Sequence, residues 1–126
     1  MSHFGARPRF EQLSDGVVRA REGTQTNCGG IAQITAYMFD EDAPGLTVSF
    51  EPDGIEPLSQ LQVPGRRIPA ELQAVIVSGA QEAHAEVGPD RGLEVCVISA
   101  VVHPVDANLR VFRACARRLV RGWLSG

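Results

Sequence analysis

The sequence predicts one α+β domain in which a mainly antiparallel sheet of four strands carries two helices on one face. Three segments alternate apolar and polar residues with the period of two that is typical of half-buried strands. Two later segments repeat apolar residues at helical spacing, and a nearly all-apolar run lies between them. These features give the order β-β-β-α-β-α. The length of 126 residues suits a single domain, which we place at residues 17–126 after an irregular arm over residues 1–16.

The three alternating segments are residues 17–22, 31–39 and 46–51. Because successive side chains of a strand point to opposite faces, each segment buries one set and leaves the other on an open face. We expect the open face to carry Arg19, Arg21, Gln33, Thr35, Tyr37, Thr47 and Ser49. Residues 52–67 contain three prolines and two glycines. They are predicted to form a loop, with a short edge strand over residues 58–63 as the alternative.

The first helix is predicted to begin at Pro69 and to end at Gly88. Proline suits the first helical position, and Glu71 in the first turn favours the helix dipole. The apolar stripe consists of Leu72, Val75, Ile76, Gly79, Ala80 and Ala83. A glycine on such a stripe permits close backbone packing.

A central strand at residues 93–102 precedes a second helix at residues 107–124, for which Asp106 is a suitable N-cap. All twelve basic residues of the chain are arginines, and the last seventeen residues hold five of them and no acidic residue. These five are Arg110, Arg113, Arg117, Arg118 and Arg121. All but Arg118 fall within an arc of about 80° opposite the apolar stripe. Unpaired like charges destabilise a helix, so this arginine face indicates an anionic partner, unless acidic residues elsewhere in the fold or in a partner chain neutralise it.

The composition argues against several classes of protein. A net charge of −3 argues against indiscriminate coating of nucleic acid. No apolar run approaches the roughly 18 residues that cross a bilayer, and the first thirty residues lack the apolar stretch of a secretory signal, so we expect a cytoplasmic protein without a membrane partner.

Cys28, Cys96 and Cys115 form no C-x-x-C pair, which predicts neither a disulfide nor a metal site. Cys96 and Cys115 are expected to be buried thiols.

Three stretches resemble the fourth domain of translation elongation factor G, in family order over about residues 17–121. The first is Ile68-Pro69-Ala70-Glu71 with Gly79 and Glu82-Ala83, which is similar to the family's I-P-x-E…G…E-A helix. The second is Val102-His103-Pro104-Val105-Asp106 with Phe112-Arg113, which is similar to its Y-H-E-V-D-x-x-x-x-A-F-K segment. The third is Gln25-Thr26 with Gly29-Gly30 and Ala32-Gln33-Ile34, which is similar to its Q-T-G-G loop and the following G-Q-Y strand.

The resemblance implies a two-layer sandwich with a left-handed β-α-β crossover, against the usual right-handed rule. In that family two loops form a tip that touches transfer RNA and messenger RNA in the ribosomal decoding centre. Carried over to this chain, the resemblance implies RNA contacts at Gln25, Thr26, Asn27, Gly29, Gly30 and His103. The chain departs from the family in its loops, which lack the family's lysines, and in Gln25 and Gln33, which stand two residues farther apart.

These patterns predict a non-catalytic, translation-associated module that binds structured RNA or the ribosome through those tip residues and the arginine face. No G-x-x-x-x-G-K-[ST] loop occurs, so we expect no GTP-binding site, and no cofactor is predicted. His103 and Asp106 are not set to hydrogen-bond as an acid-base pair, and the alternative is that they end a strand and cap a helix. Cys28 in its glycine-rich loop is the one candidate thiol. The alternative function is a protein-interaction domain, such as a homo-oligomer, that keeps the fold without binding RNA.

Overall fold

The computed structural model describes residues 9–23, 31–52, 54–56, 67–101 and 109–125. Within these ranges the chain forms six strands and two helices. In chain order they are β1 (Arg9–Ser14), β2 (Val17–Gly23), β3 (Ile31–Glu41), β4 (Gly45–Phe50), β5 (Ile55–Glu56), α1 (Ala70–Val87), β6 (Gly92–Val101) and α2 (Leu109–Ser125). The predicted α+β class is confirmed.

The strands form one mixed sheet with the order β1-β2-β3-β6-β4. Antiparallel pairing joins β1 to β2, β2 to β3 and β3 to β6. β4 and β5 both pair with β6 in parallel, β4 along residues 92–97 and β5 at residues 100–101, so the two lie end to end on the same edge. The connection from β4 to β6 through α1 is therefore a β-α-β unit, and its left-handed sense stays a prediction.

The predicted count of four strands is wrong, because two further strands lie in segments expected to be irregular. β1 occupies residues 9–14 of the predicted arm, and its Phe10 packs against Gly122 of α2. Gly16 has a φ of 75°, which glycine adopts without strain, and this turns the chain from β1 into β2. β5 lies in the predicted loop at 52–67. The alternative strand at 58–63 lies outside the described residues, as do residues 1–8.

Both helices lie on one face of the sheet, and the core fills the space between the helices and the sheet. α1 begins one residue later than predicted, because Pro69 is its N-cap, and it ends at the predicted place, with Gly88 as its C-cap. The inward residues of the strands meet the apolar stripes of the helices, and the largest fully buried side chains include Ile34, Met38, Leu72, Ile76 and Phe112. Each such side chain contributes roughly 1.5–3 kcal/mol when it leaves water. The result is a two-layer sandwich. The other face of the sheet, which we call the open face, carries no helix of the described chain.

The open face carries the residues that the alternation predicted, but two of them are covered. Tyr37, Thr47 and Ser49 are exposed, whereas Gln33 and Thr35 are buried. Their cover comes from the neighbouring strand: Arg19 Nε donates to Thr35 Oγ1 at 3.1 Å, and Arg21 Nε donates to Gln33 Oε1 at 2.6 Å. These pairs stand directly opposite each other in register. Long arginine stems therefore cover polar groups that the pattern alone would leave in water.

The two described cysteines differ in burial. Cys115 is buried in α2, and its Sγ lies 3.2 Å from the carbonyl oxygen of Ala20. Burial raises the pKa of its thiol well above the ordinary range. Cys96 was expected to be buried too, but it lies half-buried on the open face, because β6 turns Val95 and Val97 toward the core and Cys96 away from it. Neither described helix is long and apolar enough to cross a membrane.

Candidate nucleic-acid interface

The two candidate loops begin and end at the same end of the sheet, which we call the tip. Residues 24–30 separate β2 from β3, and Gly23 pairs with Ile31. Residues 102–108 follow Val101, whose partner in β3 is Gln33, two residues from Ile31. The loop residues themselves, Gln25, Thr26, Asn27, Gly29, Gly30 and His103, lie outside the described residues, as do Cys28 and Asp106. The tip is therefore described by the residues that flank these segments.

The N-terminus of α1 also lies at the tip. Ile68, two residues before the helix, lies against Gly54, whose carbonyl oxygen accepts a hydrogen bond of 2.7 Å from the amide of Ala100. Ala100 is next to Val101 at the tip end of β6. Because a helix presents unpaired N–H groups and partial positive charge at its N-terminus, α1 adds to the electropositive character of this end.

The two helices run parallel, so α2 also begins at the tip. Arg113 pairs with Glu82, and Arg117, one turn later, pairs with Glu82 and with Glu86. Residues farther along α2 therefore pair with residues farther along α1, as they do only when two helices run in the same direction. At the far end, the Nη1 of Arg91, just after α1, donates to the carbonyl oxygen of Leu124 at 3.0 Å. The close approach depends on Gly79, where an added Cβ would overlap the carbonyl oxygen of Arg113.

Carboxylates of α1 neutralise two of the four arginines of the arginine face, Arg113 and Arg117. Arg117 donates to Glu82 Oε1 at 2.9 Å and to Glu86 at 2.8 and 3.0 Å. The hydrogen bond from Arg113 lowers the pKa of Glu82, and the bond from Arg117 lowers that of Glu86. The bonds to Glu86 and Glu82 in turn raise the pKa of Arg117. Of the two interpretations of this face, neutralisation within the fold is the one these contacts favour.

Arg118, which lies off the arginine face, is neutralised from the sheet. Its Nε donates to Glu22 Oε2 at 2.6 Å, and this bond raises the pKa of the guanidinium. Arg118 and Glu22 border an open groove of about 530 Å³ between α2 and β1, together with Phe10, Arg117 and Arg121. Three guanidinium groups therefore lie around one groove, but two of them already have carboxylate partners.

Two arginines of the face, Arg110 and Arg121, form no ion pair with any described residue. Arg121 lies near enough to Glu86 to help lower the pKa of that carboxyl. Arg110 is exposed in the first turn of α2, where no described residue is acidic. A cation in the first turn opposes the helix dipole. Arg110 is therefore a guanidinium that an external anion would stabilise.

Charge divides along the molecule. Besides Arg110, the tip holds exposed Arg67 just before α1 and half-buried Arg21 near the end of β2. Two acidic residues also lie at this end: Glu22, which pairs with Arg118, and Glu71 in the first turn of α1. The opposite end holds three consecutive acidic residues, Asp40, Glu41 and Asp42, at the turn from β3 into β4, and Asp90 before β6. Arg91 is a basic residue at this end, and its Nη2 lies 3.5 Å from Asp40 Oδ1. Asp40 Oδ1 accepts a hydrogen bond of 3.0 Å from Trp123 Nε1 at the end of α2.

Sequence reasoning missed Arg67 and the partners of the arginine face. Arg67 stands in a segment predicted only as a loop, and nothing in its spacing marks it. Glu82 and Glu86 did carry a signal: they are four residues apart on α1, as Arg113 and Arg117 are on α2. Matching spacings of opposite charge indicate two helices side by side.

Comparison with known proteins supports the fold and adds no function. No protein-family model matches the chain, and no curated protein matches it significantly. Among solved structures, a crystal structure of ttk003000868 from Thermus thermophilus is similar, with a TM-score of 0.53 and 15% sequence identity. The match covers 92% of this chain but 17% of that one. At this identity the likeness concerns the fold alone: the chain resembles one part of a much longer protein.

Proposed function

We propose that this chain is a non-catalytic module that binds structured RNA through its tip. One observation carries the proposal. The flanks of both candidate loops, the N-termini of both helices, Arg67 and Arg110 share one end of the domain, and the acidic run from Asp40 to Asp42 occupies the other. Phosphate contacts in proteins come from arginines, backbone N–H groups and helix N-termini, which are the groups gathered here.

The resemblance to the fourth domain of elongation factor G belongs to this proposal. By that resemblance, the segments at 24–30 and 102–108 correspond to the loops that touch RNA in the family, and Gln25, Asn27 and His103 are side chains able to hydrogen-bond. A ribosomal or other structured RNA is therefore the proposed partner. A left-handed β4-α1-β6 connection belongs to the same expectation.

Neutralisation by Glu82 and Glu86 narrows the proposed RNA surface. Arg113 bonds to one carboxylate oxygen and Arg117 to three. A phosphate would compete with these carboxylates for the guanidinium, so Arg113 and Arg117 contribute little to the proposed contact. The contact moves to the first turn of α2 and to the loops. The acidic far end repels phosphate and favours an approach with the tip foremost.

Salt-dependent RNA binding tests the proposal. We expect the wild-type protein to bind a fluorescently labelled RNA hairpin with an affinity that falls as salt rises. Arg67→Gln and Arg110→Gln should each weaken binding and reduce the salt slope by about one unit per lost contact. The pair His103→Ala and Asn27→Ala should weaken binding as well.

Arg113→Gln is the matched control, because it removes an equal charge from the same helix at a site that Glu82 already neutralises. It should leave the RNA affinity nearly unchanged. A wild-type protein whose RNA affinity does not depend on salt would contradict the RNA proposal. Equal losses of RNA affinity in Arg110→Gln and Arg113→Gln would show that the whole arginine face of α2 contacts RNA. Co-sedimentation with ribosomal subunits at two salt concentrations then distinguishes the ribosome from free RNA.

A further inference from the structure

The open face of the sheet has an exposed aromatic centre. Tyr37, in the middle of β3, is 45% exposed, and its ring lies 5.6 Å from that of Phe39 on the same strand. Val17 of β2 and Cys96 of β6 flank Tyr37 in register. Both helices pack on the other face, so no helix of the described chain covers this centre. An exposed aromatic group between apolar neighbours is typical of a contact surface.

Opposite charges flank this centre on opposite sides. Arg19 lies on β2, and its side chain donates a hydrogen bond to an uncharged group, Thr35 Oγ1. Glu51 follows β4 on the far side of the face, where its Oε1 lies 3.7 Å from Cys96 Sγ. Glu94 of β6 lies on the same face between Phe39 and Thr47 in register, four positions farther from the tip than Glu51. Among the described residues, neither Glu51 nor Glu94 forms an ion pair, and Glu11, which faces Arg19, pairs with Arg9 instead.

Arg19 and Glu51 lie at the same height on the sheet. Arg19 stands opposite Thr35, two residues toward the tip from Tyr37. Glu51 lies two residues toward the tip from Ser49, which is level with Cys96 and Tyr37. β2 and β4 are separated by β3 and β6, that is, by three strand spacings or about 14 Å. At that distance the two charges hardly interact within one chain.

We infer that the open face binds a second copy of this chain, with the two sheets face to face around a two-fold axis parallel to the strands. An axis between β3 and β6 exchanges β2 with β4. It therefore sets Arg19 of each copy against Glu51 of the other, and Tyr37 of each against Cys96 of the other. The contact is self-complementary, as a two-fold interface requires, and it forms each charge pair twice.

A second copy fits the face better than a nucleic acid does. Glu51 and Glu94 would repel phosphates, whereas a rotated copy presents Arg19 to Glu51 and sets Phe39 against Glu94. Only β2, β3, β6 and β4 face a strand of the other copy, because β1 lies outside the exchanged strands. With strands about 4.8 Å apart and a rise of about 3.3 Å per residue, four strands by roughly six residues give an area on the order of 400 Å². The pair would then bury on the order of 800 Å², which lies at the weak, transient end of protein interfaces. We expect a weak, salt-sensitive dimer, which is independent of RNA binding at the tip.

A charge-reversal cycle followed by sedimentation equilibrium tests the dimer. Arg19→Glu and Glu51→Arg should each weaken dimerisation about tenfold or more, since each creates two like-charge contacts per dimer. The double variant Arg19→Glu with Glu51→Arg should recover an affinity within a few-fold of wild type. Because the two side chains are far apart in one chain, recovery can arise only between copies. Arg110→Glu is the control: it should lower RNA affinity and leave the mass unchanged.

Cross-linking gives a second measurement, and its main result needs no substitution on the open face. In a Cys28→Ser background, a short bismaleimide should join two copies of otherwise wild-type sequence through Cys96. It should join far fewer copies that also carry Tyr37→Asp. A monomeric mass for wild type up to about 1 mM would overturn the proposal. So would a double variant no better than the single ones. Salt-sensitive RNA binding lost in Tyr37→Asp, with an unchanged monomeric mass, would assign the face to nucleic acid instead.

Discussion

Arg117 of α2 holds Glu86 of α1 through two hydrogen bonds, from Nη1 at 3.0 Å and from Nη2 at 2.8 Å. This two-bond pair, with a further bond from Arg117 to Glu82, fixes the parallel register of the two helices on the side away from the sheet. Two arginines of a cluster that suggests an anionic ligand thus join the two helices.

Arg117→Gln should lower the thermal midpoint by about 1–3 °C, because Glu86 loses its partner and Glu82 keeps only Arg113 at a partly exposed site. Differential scanning calorimetry measures the change. Arg110→Gln, on the same helix but without an ion pair among the described residues, should leave the midpoint unchanged or raise it slightly by relieving the helix dipole. Equal losses from both substitutions would show that the helix pairing does not depend on these charges.

Stability should fall on the acid side in a way that depends on Arg117. The folded-state pKa of Glu82 and of Glu86 lies below the unfolded value of about 4.3. These carboxylates therefore stabilise the fold at pH values above about 4.3, and their contribution is lost as the pH falls through the lower folded-state values. Urea unfolding between pH 7 and pH 3 should show this loss, with a shallower slope in Arg117→Gln. Identical slopes would contradict the assignment.

Gly79→Ala should destabilise the domain by about 1–3 kcal/mol, although alanine is the better helix former, because its Cβ would overlap the carbonyl oxygen of Arg113. Ser78→Ala, at an exposed position one residue earlier, is the control and should be neutral or slightly stabilising. Urea denaturation of both variants measures the difference. A stabilised Gly79→Ala would mean that the helices lie farther apart.

Gly122→Ala should also destabilise the domain, since the new methyl group would overlap the ring of Phe10 in β1. The double variant with Phe10→Ala should be destabilised by less than the sum of the two single variants, because the overlap disappears when the ring is removed. Denaturation of the two single variants and the double variant tests this coupling. Strictly additive effects would show that β1 does not dock on α2.

Much of the fold could be predicted because its patterns are local. The alternation of Val18 and Ala20 with Arg19 and Arg21 placed β2 and its faces, and the stripe through Gly79 placed α1. β1 was missed because its sequence, RFEQLS, has only Phe10 and Leu13 as apolar residues and so shows no period of two. Phe10 is half-buried because it packs against Gly122, which is more than a hundred residues away in the sequence.

The candidate site was less predictable, because its charges are set by long-range packing. Arg117 lies 31 residues from Glu86 and Arg118 lies 96 residues from Glu22. No local count of charges shows such pairs. The gathering of Arg67, Arg110 and both helix N-termini likewise follows from the parallel course of α1 and α2, which sequence periodicity does not specify.

Amide chemical-shift mapping during titration with an RNA hairpin tests the central claim most directly. We predict salt-sensitive shifts confined to the tip, including the amides of Gly23, Ile31, Val101 and Arg110, with none at Asp42 or Asp90 at the acidic end. A poly-glutamate peptide of similar charge is the control for simple attraction of anions, and it should cause smaller shifts. Shifts centred on the acidic end or on the middle of α2, or no shifts at low salt, would contradict RNA binding through the tip.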